Sequence, residues 1–203
     1  MSDLLLLRKR LMIFDGFNRQ DDMNNLGSAD TGQVYLTPIS ESGPTVPVYG
    51  ISGNQAYVIT EADSSGSFVY IPTGLLDFII SCDVKWVTNA SPGLVFRGNG
   101  EAIKANTRHY ITRLNSTSLA LFSWNGASYS SLGSYAFIPV DGHSYNLKVS
   151  AIGTIITVYI DEVQAVFANN NTLSGSYVGL RSGNTSSNSA PDKRWDNLKV
   201  EVA

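Results

Sequence analysis

Asp141, His143 and Ser144 are the residue types of a nucleophilic triad, and they stand almost side by side. Such a triad works only if the base reaches the nucleophile and a third group orients the base. Neighbours on a turn-forming Asp141-Gly142 cannot easily converge on one substrate atom, so a surface turn accounts for them. The other histidine, His109, makes no His-x-x-x-His pair with His143, and Cys82 is the only thiol. No zinc site can be built from those spacings, and no intramolecular disulfide from one cysteine. Its apolar neighbours make Cys82 a small core residue. The sequence has no Gly-x-Ser-x-Gly elbow and no glycine-rich phosphate loop opening a helix.

The 203 residues are 43% hydrophobic but only 15% charged, against about a quarter charged in an average soluble chain. Ser, Thr, Asn and Gly fill the difference. With 10 Tyr and 8 Phe, this is the composition of a loop-rich β protein with an uncharged polar surface. The net charge of −3 argues against nucleic acid or anionic lipid as partner, since both reward dense Lys and Arg. No apolar run approaches the roughly 18 residues of a membrane span.

Residues 1–13 read as a short arm, helical or extended, distinct from the domain over 14–203. Ser2 or Asp3 can cap a short helix over 3–13, in which Leu4, Leu7 and Leu11 recur at helical spacing. A lone segment of this length is marginal in water, so the arm is expected to pack on its own domain or to attach and oligomerise through those leucines. Its charges, Arg8-Lys9-Arg10, follow the apolar run, the reverse of a secretory signal. Folding in a reducing cytoplasm is the expectation.

From Phe14 onward the period is two. Phe78, Ile80, Cys82, Val84 and Trp86 alternate with Ile79, Ser81, Asp83 and Lys85, and Leu94 with Phe96, Leu119 with Leu121, Tyr145 with Leu147 and Val149, Val178 with Leu180, and Leu198 with Val200 repeat the period. Turn sequences separate these runs, Asn125-Gly126 most sharply, because both residues tolerate the positive φ of a type I′ hairpin turn. Many short strands without helices between them imply an all-β antiparallel two-sheet sandwich in one domain.

The order of Gly93-Leu-Val-Phe-Arg-Gly98, Tyr145-Asn-Leu-Lys-Val149 through Ile160-Asp161, Gly175-Ser-Tyr-Val-Gly-Leu-Arg181 and Trp195-Asp-Asn-Leu-Lys-Val200 resembles the concanavalin A-like lectin/glucanase superfamily, in its laminin-G-like branch. The resemblance implies a jelly roll with one flatter and one concave sheet. The opening, Phe14-Asp-Gly-Phe-Asn-Arg19 with Leu26-Gly27, Asp30-Thr-Gly32 and Ile51-Ser-Gly-Asn-Gln-Ala56, resembles such domains in tail and structural proteins of tailed bacteriophages. The glucanase members carry a Glu-x-Asp-x-x-Glu strand whose carboxylates act across the scissile bond. Here Glu61-Ala-Asp-Ser-Ser-Gly66 lacks the last carboxylate, and Glu101, Asp161 and Glu162 are unpaired.

What the resemblance implies for binding is an aromatic plane for a sugar's apolar face and polar side chains for its hydroxyls. Trp124, Arg97, Asn99, Tyr110 and Tyr129 are the candidates. Trp124 lies on the pleat opposite Leu119 and Leu121 and is expected to face out, as is Arg97 by alternation with Leu94 and Phe96. Trp86 and Trp195 are expected in the core. Asp15 and Asp196, flanking the first and last strands, could hold a structural calcium ion; otherwise no cofactor is expected. The leading expectation is a non-enzymatic phage virion protein (tail, baseplate or head-fibre) that forms homo-oligomers and binds host-surface glycan or a neighbouring virion protein. The rival is a polysaccharide-active hydrolase or lyase.

Overall fold

A computed structural model describes residues 11–41, 46–60, 66–184 and 192–203. Its chain runs as β1 (Leu11–Asp15), β2 (Ile39–Ser40), β3 (Val48–Ser52), β4 (Gln55–Thr60) and β5 (Ser67–Pro72). The middle holds β6 (Phe78–Lys85), β7 (Gly93–Gly98), β8 (His109–Leu114), β9 (Ser118–Trp124) and β10 (Tyr129–Ala136). Then come β11 (Ser144–Ile152), β12 (Ile155–Ile160), β13 (Val163–Asn169), β14 (Tyr177–Ser182) and β15 (Arg194–Val202).

These strands form two antiparallel sheets. One has the order β13-β12-β11-β6-β15-β4-β3, with β1 also on β15; the other runs β10-β9-β8-β7-β14-β5-β2. Neighbours distant in sequence, such as β7 and β14, are what make the sandwich a jelly roll rather than a meander. The alternating residues meet between the sheets as expected: Ile80, Cys82, Val84, Leu94, Phe96, Leu121, Leu147, Val149, Leu180, Trp195 and Leu198 are buried in one cluster. The indole N–H groups of Trp86 and Trp195 donate to the carbonyls of Ala90 and Gly93, so neither ring carries an unmet polar group inside. Burial pushes the Cys82 thiol pKa well up.

Two local expectations fail. Leu11–Ile13 are not the end of a helix but the start of β1, held by pairing with Glu201 and Val200; Leu4 and Leu7 lie outside the described residues, and Leu11 is about half exposed. The hairpin at Asn125-Gly126 exists, but its loop is the four residues 125–128. There the Asn125 carboxamide oxygen accepts the N–H groups of Ala127 and Ser128, and only Gly126 has a positive φ. The Asn side chain thus closes an Asx turn in place of a two-residue type I′ turn. A true two-residue turn with both φ positive lies between β12 and β13, at Asp161 (+47°) and Glu162 (+66°).

Candidate functional site

The inner face of the seven-stranded sheet is spent on the core, so a partner can be met only on its outer face. Strand alternation sorts the residues. In β8, Tyr110 and Leu114 point inward, leaving His109, Ile111 and Arg113 outward; in β9, Phe122 and Trp124 oppose Leu119 and Leu121. Tyr129 pairs directly with Trp124, which pairs with His109. Phe68 and Tyr70 of β5 and Tyr177 and Arg181 of β14 complete the face.

This face holds a second, aromatic cluster. The Trp124 ring centroid lies 4.4 Å from that of Tyr129 and 6.4 Å from that of His109, and Phe68 meets His109 edge-on at 4.5 Å. The Arg113 guanidinium sits 3.8 Å over Tyr129 and 5.0 Å over Phe122, a cation–π arrangement. Trp124 Nε1–H donates to Thr107 Oγ1 at 3.0 Å.

Beside the rings stands a buried ion pair. Arg181 Nε and Nη2 donate to the two oxygens of Glu41, each at 2.8 Å, while Nη1 donates to the Ser91 carbonyl. Burial opposes the Arg181 charge, but Glu41 more than offsets it and holds the pKa above its ordinary value. Gly66 and Gly183 leave room for this pair: a Cβ on Gly66 would come 2.7 Å from Arg181 Nη2 and 2.8 Å from Glu41 Oε2. Arg113 Nη2 stays 3.8 Å from the same Oε2.

Three polar groups here have no hydrogen-bond partner although buried: His109 Nε2, the Nε and Nη2 of Arg113, and the Tyr129 hydroxyl. His109 Nδ1 shares a 2.7 Å hydrogen bond with the Tyr70 hydroxyl, so one ring nitrogen is anchored and the other is not. Burial, and then the charges of Arg181 and Arg113, hold the imidazole pKa well below its usual range, keeping the ring neutral. The Tyr129 hydroxyl pKa is raised by burial and by the nearby Glu41 carboxylate. Buried polar groups are almost always paired, so several unpaired ones on one face single it out as the candidate site.

No protein-family model matches the sequence, and no curated relative is found. In three dimensions the chain is similar to carbohydrate-binding module CBM66 from Bacillus subtilis, with 16% identity and a TM-score of 0.63 over 82% of this chain and 96% of that one. It is similar also to domain 4 of AbnA, a GH43 extracellular arabinanase from Geobacillus stearothermophilus in complex with arabinotriose (14%, TM-score 0.55, 96% and 93%). A third is a LamA variant from Z. galactanivorans in complex with laminaritriose and laminaritetraose (10%, TM-score 0.58, 95% and 98%). What the chain shares with them is the fold, a two-sheet β-sandwich.

Within this jelly roll the candidate residues fare differently. Trp124 does take the outward pleat, yet it is only 4% exposed, because Thr107, His109 and Tyr129 cover it. Tyr110 faces the core, stacked on Phe96, with its hydroxyl donating to the Asn170 carboxamide oxygen at 2.5 Å. Arg97 is buried, contrary to the alternation, because its φ of +48° and a register shift between β7 and β14 turn it over. There it donates to the carbonyls of Leu76 and Gly153 and to Asp77. Asn99 is exposed but closes its own loop, donating to the Asn106 carbonyl and accepting from Arg108 N–H. Of the five, Tyr129 alone is both half exposed and unpaired, and the structure joins it to Trp124.

Asp15 and Asp196 are each engaged with protein groups. Asp15 oxygens accept from Arg19, Tyr35 and the Phe17 N–H, so a cation already occupies that carboxylate. Asp196 accepts the Asn197 N–H, and among the described residues no three acidic, His or Cys side chains converge. Asp141 likewise accepts from the Thr88 N–H and hydroxyl, as a turn residue would. The incomplete Glu61-Ala-Asp63 motif lies outside the described residues. Sequence reading missed Glu41, Arg113, Arg181 and the outward role of His109; the one available signal was the polar residues alternating with apolar ones in β8 and β14.

Proposed function

We propose that this jelly roll is a non-enzymatic glycan-binding module that reads its ligand on the outer face of the seven-stranded sheet. The observation that carries the reading is the set of unpaired polar groups of His109, Arg113 and Tyr129 among the rings of Phe122, Trp124 and Tyr129. A sugar offers hydroxyls for the first and an apolar ring face for the second. Two of the similar structures hold oligosaccharides and a third is a carbohydrate-binding module, which supports the same reading.

On this face binding is favoured over hydrolysis by the lack of paired carboxylates among the described residues. The seven strands of this sheet contain no Asp or Glu, and Glu41 is committed to Arg181. A glycosidase needs two carboxyl groups facing across the bond. The module's proposed setting is a tailed-phage virion, where many copies would turn weak single-site affinity into firm adhesion. The bacteriophage-like opening from Phe14 to Arg19 supports that setting.

Isothermal titration of the full chain against a panel of neutral and acidic polysaccharides tests the reading. Binding is expected for at least one polysaccharide, weakened by Tyr129→Phe and unchanged by Asn99→Ala. A silent panel overturns it, and so does release of reducing ends from a bound polysaccharide.

A further inference from the structure

The edge of Arg113 that lacks partners is a specific one. Nε and Nη2 lie along one edge of the planar guanidinium and point their N–H bonds in parallel, the spacing a carboxylate accepts with both oxygens. Neither atom has a hydrogen bond. Glu41 is the nearest anion, but both of its oxygens already accept from Arg181 at 2.8 Å, and Arg113 approaches it no closer than 3.8 Å. Two guanidinium groups therefore share one carboxylate, with the hydrogen bonds on the Arg181 side. Among the described residues the surroundings supply no second anion: His109 is neutral, Phe122 offers a ring face, and Tyr129 offers its ring and a hydroxyl that eases the Arg113 charge only in part.

We infer that the sugar read at this face is an acidic one, held through its carboxylate by the Nε–Nη2 edge of Arg113. The inference rests on the glycan-binding reading above and narrows it to a class of ligand. A planar carboxylate supplies the charge and both acceptors missing at Arg113. The sugar ring carrying it would lie beside Tyr129, whose unpaired hydroxyl then meets a sugar hydroxyl. Arg113 keeps 20% of its side-chain surface in solvent, but Nε and Nη2 themselves are covered, so the proposed contact requires the side chain to swing outward from the Tyr129 and Phe122 rings. Independently, burial and the charge of Arg181 depress the Arg113 pKa, as expected of a cation short of counter-charge.

The test titrates the full chain with pectate, alginate, hyaluronan and polysialic acid, each also after chemical reduction of its carboxyl groups to alcohols. At least one acidic polymer is expected to bind, with reduction weakening it about ten- to a hundredfold, the equivalent of a charge-assisted hydrogen bond. Arg113→Lys keeps the charge but not the fork, and is expected to lose a similar factor with an unchanged melting temperature. Tyr129→Phe is expected to weaken acidic and reduced forms alike. Reduced or neutral polymers that bind as tightly as acidic ones overturn the carboxylate assignment while leaving glycan binding intact. Silence across the acidic, reduced and neutral polymers together removes the glycan-binding reading itself.

Discussion

Glu41 and Arg181, 140 residues apart, clasp each other through two hydrogen bonds of 2.8 Å with both side chains buried. The pair bridges the segment after β2 to the end of β14 at the edge of the aromatic face. A buried ion pair is costly to desolvate and is weak evidence of stability by itself, but removing one partner strands a charge. Its position beside Arg113 gives it a second consequence: it sets the charge that the outer face presents.

Glu41→Gln or Arg181→Met is therefore expected to destabilise the protein by about 3–5 kcal/mol. Replacing both by Met should recover most of that loss, because no unpaired charge then remains. Urea denaturation of the two single variants and the double variant checks this. Single variants as stable as the native protein would show that the pair is dispensable.

His109 makes stability depend on pH. Its folded-state pKa lies well below the unfolded 6.5, so the unfolded chain binds the proton first as pH falls. The contribution is complete above about pH 6.5 and is lost progressively on the acid side, until the folded-state ring also titrates. The slope for one such group is at most about 1.4 kcal/mol per pH unit. Denaturant midpoints between pH 7.5 and 5 should fall accordingly, and His109→Gln should flatten that part of the profile. An unchanged slope in the variant would mean that other groups govern acid sensitivity.

The Asp161-Glu162 turn stores avoidable strain. Asp tolerates a left-handed backbone better than Glu does, and glycine adopts it freely. Glu162→Gly is expected to raise stability by about 1 kcal/mol, read as a higher denaturant midpoint with an unchanged m-value. The exposed contact with Lys148 that it removes is worth little in water. A lower midpoint would show that this ion pair outweighs the backbone gain.

How much of this was legible beforehand differs between the two faces of one sheet. Tyr110, Leu119 and Leu121 against Phe122 and Trp124 follow a period of two, which any strand imposes on its own side chains. Alternation gives Trp124 the outward pleat but not its cover, which Thr107 and Tyr129 supply from outside its own strand. Arg97 broke the pattern outright. A register shift and one positive φ, invisible in residue types, turned a predicted surface arginine into a tie between loop carbonyls.

The sequence by itself determined an all-β sandwich, its core residues and the lack of a recognisable catalytic motif, because alternation, turn chemistry and motif spacing are local properties. The tertiary structure alone decided that Glu41, His109, Arg113, Tyr129 and Arg181 would share one face. They come from separate segments of the chain. Only the pairing order of β10-β9-β8-β7-β14-β5-β2 brings them together and leaves the Nε–Nη2 edge of Arg113 unsatisfied.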